Sequence, residues 1–288
     1  MAGSSWMCQP AGKPHDQKAA EPIVTTDPRI WLPYCGEGPG PGEWLARWNF
    51  DPLLLAAVVA AALAFRLRGP RGAGSRRAQA GSLALVLVLF VSPFCALGSA
   101  LFTARVVHHV VLATGLAALA VSATGLHRRR LPGSLAMWTA VQALTFWAWH
   151  APPLYGAALS ADAMFWAMQL TITASAAIWW AKLRQAEAGA AVIALLASMV
   201  LMGVLGALIT FAGQPLYAPH YLTTLAWGLT PLEDQQIAGI VMWAPASAIY
   251  LLAACSILYR ALGSDPVPAD RRVNGRANGR ADPQADGA

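Results

Sequence analysis

The chain has 288 residues, of which 57% are hydrophobic and only 12% are charged. This balance is typical of polytopic membrane proteins and excludes an ordinary soluble domain. Most of the formal net charge of +6 comes from arginines in the chain ends and in short segments between apolar runs. We therefore exclude a nucleic-acid-binding face.

The two ends of the chain differ in composition from its apolar middle. Residues 1–50 are polar and rich in Pro and Gly, and they contain no apolar segment typical of a signal peptide. The first hydrophobic helix is thus expected to direct membrane insertion. Residues 261–288 include the near-repeat NGRANGRAD and are expected to be a disordered tail. Residues 51–260 form the predicted membrane domain.

Hydropathy predicts an all-α bundle of seven transmembrane helices. A spanning helix requires about 20 mostly apolar residues, and each candidate is bounded by charge, Pro or Gly. Small residues in the sixth span, Gly203, Gly206 and Ala207, are expected to allow close helix packing. The predicted spans are 51–67, 80–98, 104–126, 133–151, 162–182, 189–212 and 232–260.

The distribution of basic residues predicts the orientation, because cytoplasmic loops carry an excess of Lys and Arg. The loops after the second, fourth and sixth spans contain none, except Arg105 at the very start of the third span. We therefore expect the N-terminus outside and the C-terminus in the cytoplasm. The loops after the first, third and fifth spans contain Arg66, Arg68, Arg71, Arg76, Arg77, Arg128, Arg129, Arg130, Lys182 and Arg184.

The positions of the cysteines permit one disulfide but do not decide whether it forms. Cys8 and Cys35 both lie in the outer N-terminal tail, where a disulfide is chemically permitted, whereas Cys95 and Cys255 fall in predicted spans. A Cys8–Cys35 bridge and its absence are given equal weight.

Ionisable residues gather at the outer ends of three predicted spans. The string TFWAWHAPPLY places His150 at the end of the fourth span, and its two prolines are expected to stop the helix at Ala151. His108 and His109 open the third span, and Asp234 opens the seventh. Because ionisable groups at membrane depth are costly unless paired or solvated, we interpret this cluster as a shallow functional site at the membrane rim.

These residue types are typical metal ligands. Neutral His is the commonest ligand, Asp can join it, and sulfur from Met or Cys favours Cu(I). Adjacent helical residues point about 100° apart, so we favour His109 over its neighbour. Cys95 is a further sulfur candidate. The candidate ligands of a copper site are His109, His150, Asp234, His108 and Met242.

Several of these polar residues also have a purely structural interpretation. A histidine at a helix end often lies at the membrane interface. For His220 this interpretation and a role in the site are given equal weight. Glu233 occupies the N3 position of a capping box that starts at Thr230. Asp234 could simply pair with Arg105.

Several strings together resemble the polytopic CtaG-type cytochrome c oxidase assembly factors, over most of residues 48–258. In order they are WNFDP, WAWHAPPLYGAAL, WW, LGALITFAGQPLYAPH and LTPLEDQQIAGIVMW. The resemblance implies a seven-helix, non-enzymatic factor for caa3-type haem–copper oxidases that supports copper delivery at the periplasmic face of a bacterial cytoplasmic (inner) membrane. The implied partners are oxidase subunits and the lipid bilayer. The resemblance leaves the oligomeric state open.

Two presumed ligand positions depart from the family pattern. Entering the third span the family resembles His-x-x-x-His with Gln before the second His, whereas this chain reads RVVHH, with Arg105 at the first His and His108 at the Gln. In the fifth span the family usually shows Glu-His, and this chain offers Met168 and Gln169. The chain resembles a divergent member. A guanidinium beside a cation site would weaken that site unless a carboxylate neutralises it.

Three other functions are kept as alternatives. A transporter of a metal or small solute would need polar residues through the bundle, and the inner halves of the third, fourth and seventh spans are apolar. A membrane enzyme would use the histidines for acid–base chemistry or haem ligation. A scaffold without metal would account for the missing ligands.

Overall fold

The computed structural model describes residues 31–69 and 72–263. Cys8, the start of the predicted N-terminal tail and nearly all of the predicted C-terminal tail lie outside the described residues. The described residues are all-helical, without strands.

Helical segments correspond to all seven predicted spans, with the second beginning earlier than expected. The helices are α1 (Pro52–Arg68), α2 (Ala73–Val86), α3 (Phe94–Ala100), α4 (Phe102–Val111), α5 (Ala117–Thr124), α6 (Leu135–His150), α7 (Pro152–Ala158), α8 (Asp162–Leu183), α9 (Ala188–Thr210) and α10 (Pro231–Leu262). Two π-helical turns, Leu87–Val91 and Leu112–Leu116, extend α2 and join α4 to α5.

Three described helices are long and apolar enough to cross a membrane: Phe102–Thr124, Ala188–Thr210 and Pro231–Leu262. A fourth is the pair Ala73–Val91 and Phe94–Ala100, if these two segments, bent by 44°, form one span. The described part of the chain thus has the helices of a membrane protein.

Local sequence accounts for the starts of α1 and α10. The Asp51 carboxylate accepts a hydrogen bond from the Leu54 N–H at 2.8 Å, and Pro52 occupies the first helical position. At α10 the predicted capping box is confirmed: Thr230 and Glu233 each accept the other's backbone N–H. Both helices therefore begin where their own residues satisfy the free N–H groups.

Close packing of α9 on α10 depends on two glycines. A Cβ added at Gly206 would lie 2.8 Å from the Gly239 carbonyl oxygen, and one at Gly239 would lie 2.6 Å from the Gly206 oxygen. The expectation that Gly206 allows close packing is confirmed. This pair of helices is the most extensive contact among the described elements.

Two sets of contacts between segments that are distant in sequence define the two ends of the bundle. At the first, called the disulfide end, Asp234 at the start of α10 meets the start of α4, beside the disulfide of Cys95. At the second, called the arginine end, the Lys182 ammonium at the end of α8 donates to the Leu131 carbonyl before α6, at 2.6 Å. All candidate ligands except Met242 belong to segments that meet at or near the disulfide end.

Residues 31–50, called the strap, pack on the disulfide end rather than extending as a free tail. An added Cβ at Gly38 would lie 2.9 Å from the Ala100 Cα, so only glycine permits this approach. The Trp227 indole N–H donates to the Pro39 carbonyl at 2.9 Å. The strap therefore belongs to the same compact unit as the helices.

The disulfide joins Cys35 of the strap to Cys95 of α3, with a Cα–Cα distance of 5.4 Å. The alternative in which Cys8 bridges Cys35 is thus wrong. The physical reason is the bend between α2 and α3, which presents Cys95 to the strap instead of leaving it inside a straight span. As a disulfide sulfur, Cys95 is not a candidate metal ligand.

Candidate functional site

The centre of the site is a pair of histidines from α4 and α6. As expected from the sequence, α6 ends at His150, and α7 begins at Pro152, which occupies its first position. The end of α6 places His150 Nε2 at 3.4 Å from His109 Nδ1. The structure therefore brings together two of the five candidate ligands.

Hydrogen bonding determines the proton positions of the pair. His150 Nδ1 donates to the Phe146 carbonyl at 2.7 Å, because a carbonyl oxygen only accepts. His150 Nε2 is then the acceptor of the His109 Nδ1–H. His109 Nε2 keeps a free lone pair and has no partner among the described residues. For two neutral rings, this pattern leaves one nitrogen lone pair, on His109 Nε2, without a donor in the described chain.

An aromatic cover, formed by Phe102, Tyr155 and Tyr217, lies at the disulfide end of the bundle, against the pair. Ring centroids are 3.7 Å apart for Phe102 and Tyr217, and 5.2 Å for Phe102 and Tyr155. The Tyr217 hydroxyl donates to the His150 carbonyl at 2.8 Å. Both histidines are buried. The pair is therefore covered by the connection after α9 and is not open at the protein surface.

His220 binds this cover to the helices. Its Nδ1 donates towards the Ala100 carbonyl at 3.4 Å, and its Nε2 accepts from the Tyr155 hydroxyl at 2.6 Å. Burial, reinforced by the Arg105 charge, lowers the pKa of His220 to about 3. Burial also raises the pKa of Tyr155, so the phenol stays a donor. His220 is therefore a neutral structural residue, not an interfacial one.

Sequence reasoning missed Tyr155 and Tyr217. The available signal was that each follows a Pro-Leu pair, in PPLY and QPLY, in a connection that the spans bring to one end. That signal shows where the chain turns but not which polar group each hydroxyl reaches.

Arg105 places a positive charge near the pair. Its side chain is fully buried, its Nε donates to the Gly98 carbonyl at 3.2 Å, and its Cζ lies 5.2 Å from the Phe165 ring centroid. Its two terminal nitrogens have no hydrogen-bond partner in the described part of the chain. The guanidinium is therefore not neutralised by Asp234, and it disfavours a second cation nearby.

Asp234 caps α4 from another helix. Its Oδ2 accepts the Phe102 N–H at 2.6 Å and its Oδ1 accepts the Thr103 N–H at 3.1 Å. The helix's own N-cap residue, Leu101, has no side chain that can accept these bonds. The carboxylate thus stabilises the positive end of α4 and is not directed at the histidines.

The remaining two candidates lie apart from the pair. The His108 ring packs edge-on against Phe90, with centroids 4.9 Å apart, and stacks on Phe94 at 6.1 Å. Met242 is buried in the core of α10, about 12 Å beyond Asp234 at 1.5 Å per residue. Within the described residues, no group of three or more His, Cys, Asp or Glu could hold a metal ion.

Among the described residues the pair offers two nitrogen donors to an ion. Two nitrogens that bind one ion at about 2.0–2.1 Å and a tetrahedral angle lie about 3.4 Å apart, which is the separation of His109 Nδ1 and His150 Nε2. If His109 carried its proton on Nε2, both lone pairs would face the same point. The spacing therefore suits two of the donors of a tetrahedral site, since two nitrogens on a linear two-coordinate ion would lie about 4 Å apart.

The sequence profile of the family described as cytochrome c oxidase caa3 assembly factor matches residues 58–264. The chain belongs to this family. The match runs from α1 to the end of α10 and includes His109, His150 and Asp234, so the whole polar region of this caa3 assembly factor lies inside the shared part. The resemblance read from the sequence is thereby confirmed. No curated protein and no solved structure is detectably similar to the chain.

Proposed function

We propose that this caa3 assembly factor supports copper insertion into a haem–copper cytochrome c oxidase at the periplasmic face of a bacterial cytoplasmic membrane. The observation that supports this is the 3.4 Å approach of His109 Nδ1 to His150 Nε2. The protein acts as a chaperone rather than an enzyme. It holds Cu(I) through two imidazole nitrogens and releases it to an oxidase subunit.

The surroundings of the pair favour weak binding, as transfer requires. Within the described residues only two donors face each other, and the Arg105 guanidinium opposes a second positive charge. Entry and release both require the aromatic cover to open. Because Tyr217 and His220 belong to the connection between α9 and α10, that connection is the part that moves.

We further propose seven membrane crossings with the disulfide end outside. Crossings by α1, α2 with α3, α4 with α5, α6, α8, α9 and α10 follow the hydropathy pattern, although α6 has only 16 residues and spanning helices need about 17–25. Arg128, Arg129 and Arg130 at the arginine end support a cytoplasmic location for that end.

Copper content after loading with Cu(I) tests the proposal. The full chain, purified in detergent, should retain close to one copper per chain, and His109→Ala and His150→Ala should each lower copper affinity by about tenfold or more. His127→Ala, at the arginine end, is the control and should leave copper unchanged. Asp234→Asn should also retain copper, because Asp234 is not directed at the histidines and one amide oxygen still accepts an N–H at the start of α4.

A second function is a scaffold that binds oxidase subunits without metal. Two observations on the described part of the chain favour it: Arg105 is not neutralised, and no third donor joins the histidine pair. In that case the wild type would hold no copper, and cells carrying His150→Ala would still assemble an oxidase with its full copper complement. Wild-type copper that is lost in both histidine variants, with oxidase lacking copper in those cells, would exclude the scaffold.

A further inference from the structure

A groove of about 610 Å³ lies between α1, α2 and α8, separate from the histidine pair. This volume is within the roughly 300–1,000 Å³ of small-molecule sites. Among the described helices α1 packs only sparsely on α2. In a bilayer the groove therefore opens sideways between α1 and its neighbours.

The mouth of the groove is acidic. Asp51 at the start of α1 and Asp162 at the start of α8 line it, together with Tyr34 of the strap. The groove lining, as far as the structure describes it, contains no Lys, Arg or His. Burial raises the pKa of Tyr34, so its hydroxyl remains a donor. The mouth thus favours a cationic group and offers one neutral donor beside it.

An unpaired amide lies deeper in the same groove. Gln169 is 1% exposed, and neither its amide oxygen nor its amide nitrogen has a hydrogen-bond partner in the described chain. It follows Asp162 along α8 by about 10 Å, at 1.5 Å per residue. A buried amide without partners is costly, so a ligand that supplies a hydrogen-bonding group at this depth would be favoured.

The walls of the groove are largely apolar. The stacked rings of Phe90 and Trp166, with centroids 5.3 Å apart, form one side between the mouth and the amide. Leu83, Val86 and Leu116 continue the surface towards the arginine end. This part suits a hydrocarbon chain.

We propose that the groove binds one molecule of phosphatidylethanolamine. Its primary ammonium donates to the Asp51 and Asp162 carboxylates, an ester carbonyl accepts from the Gln169 amide, and one acyl chain follows the apolar wall. An extended ethanolamine phosphate headgroup spans the roughly 10 Å between the carboxylates and the amide. A choline headgroup has no N–H to donate, and a glycerol headgroup has no positive charge to offset the repulsion between its phosphate and the carboxylates.

Native mass spectrometry of the full chain tests this proposal. The detergent-purified protein is incubated with equal amounts of phosphatidylethanolamine, phosphatidylcholine and phosphatidylglycerol that carry the same acyl chains. We expect one phosphatidylethanolamine per chain, retained about tenfold more than either other lipid, as one charge-assisted hydrogen bond provides. Asp162→Asn and Gln169→Leu should each lower that retention about tenfold.

Matched variants separate groove binding from general lipid adhesion. Ala57→Trp fills the groove and should abolish retention, whereas Ala56→Trp, one residue earlier on the exposed face of α1, should not change it. Glu187→Gln at the arginine end is the control for charge. Equal retention of the three lipids, or equal loss in Ala57→Trp and Ala56→Trp, would overturn the proposal.

A thermal measurement keeps the proposal testable if a variant folds poorly. Added phosphatidylethanolamine should raise the Tm of the wild type and not that of Gln169→Leu, while phosphatidylcholine should raise neither. An equal rise in both proteins would also overturn the proposal. Neither test depends on copper binding, so failure of the copper proposal leaves this one standing.

Discussion

His220 illustrates how a single buried side chain joins a connection to the helices. It accepts from Tyr155 and donates towards Ala100, and it has no solvent to stabilise a charge. Protonation would remove the Nε2 lone pair that accepts from the Tyr155 hydroxyl and would place a second cation near Arg105. The aromatic cover is therefore held by a histidine that must stay neutral.

Acid should destabilise the protein partly through His220. An unfolded histidine takes up its proton near pH 6.5, whereas the folded protein keeps His220 neutral down to a pKa of about 3. Below about pH 6.5 the unfolded state binds more protons, so the free energy of unfolding falls with decreasing pH, by up to about 1.4 kcal/mol per pH unit. We expect the Tm advantage of wild type over His220→Gln to shrink between pH 7 and pH 4.5.

The control for this experiment is Tyr155→Phe, which keeps the histidine and loses only its hydroxyl partner. It should retain most of the pH dependence. A Tm gap between wild type and His220→Gln that stays constant over this pH range would contradict the assignment of a depressed pKa to this residue.

At the scale of elements, the close approach of two helices depends on glycines, and hydropathy does not indicate which glycines make such contacts. Gly206 and Gly239 allow α9 and α10 to pack backbone to backbone, and this packing carries Asp234 to the start of α4. The cap on α4 thus depends on a contact made elsewhere along α10.

Gly239→Ala should separate these helices. The added methyl group would lie 2.6 Å from the Gly206 carbonyl oxygen, and overpacking of this kind costs about 1–3 kcal/mol, which exceeds the gain in helix propensity of about 1 kcal/mol. Gly189→Ala, where a Cβ meets open space, should be neutral or slightly stabilising. Thermal unfolding in detergent measures both, and an unchanged Tm for Gly239→Ala would refute the close contact.

The strap depends on its disulfide. The bridge closes a loop over a sequence separation of 60 residues, for which chain entropy predicts a stabilisation of about 4 kcal/mol. The double variant Cys35→Ser with Cys95→Ser should lower the Tm and expose residues 36–50 to protease. Cys255→Ser removes an exposed free thiol and should have no effect. Equal protease resistance of the double variant and the wild type would show that packing alone holds the strap.

At the scale of the whole molecule, charge asymmetry sets the expected orientation. The arginine end carries Lys182, Arg184 and the run Arg128 to Arg130, whereas the disulfide end carries Glu233 and Asp234. A disulfide is stable only in an oxidising compartment, so the Cys35–Cys95 bridge independently favours the same orientation.

Reporter fusions test the topology directly. A reporter placed after Arg130 should be active in the cytoplasm, and one placed after Gly213, in the connection between α9 and α10, should be active in the periplasm. The opposite pattern would put the histidine pair and the acidic groove mouth on the wrong side for periplasmic copper transfer.

The sequence by itself determined the helical segments, the capping box of Thr230 and Glu233, the stop after His150 and the family. These depend on hydrophobicity averaged over a helix, on contacts within about four residues, or on strings that are read directly. Only the tertiary structure decided that Cys95 pairs with Cys35, that His220 is buried, and that Asp234 caps α4. These features join residues 60, 120 and 132 positions apart, and local sequence does not encode which distant backbone group a polar side chain will meet.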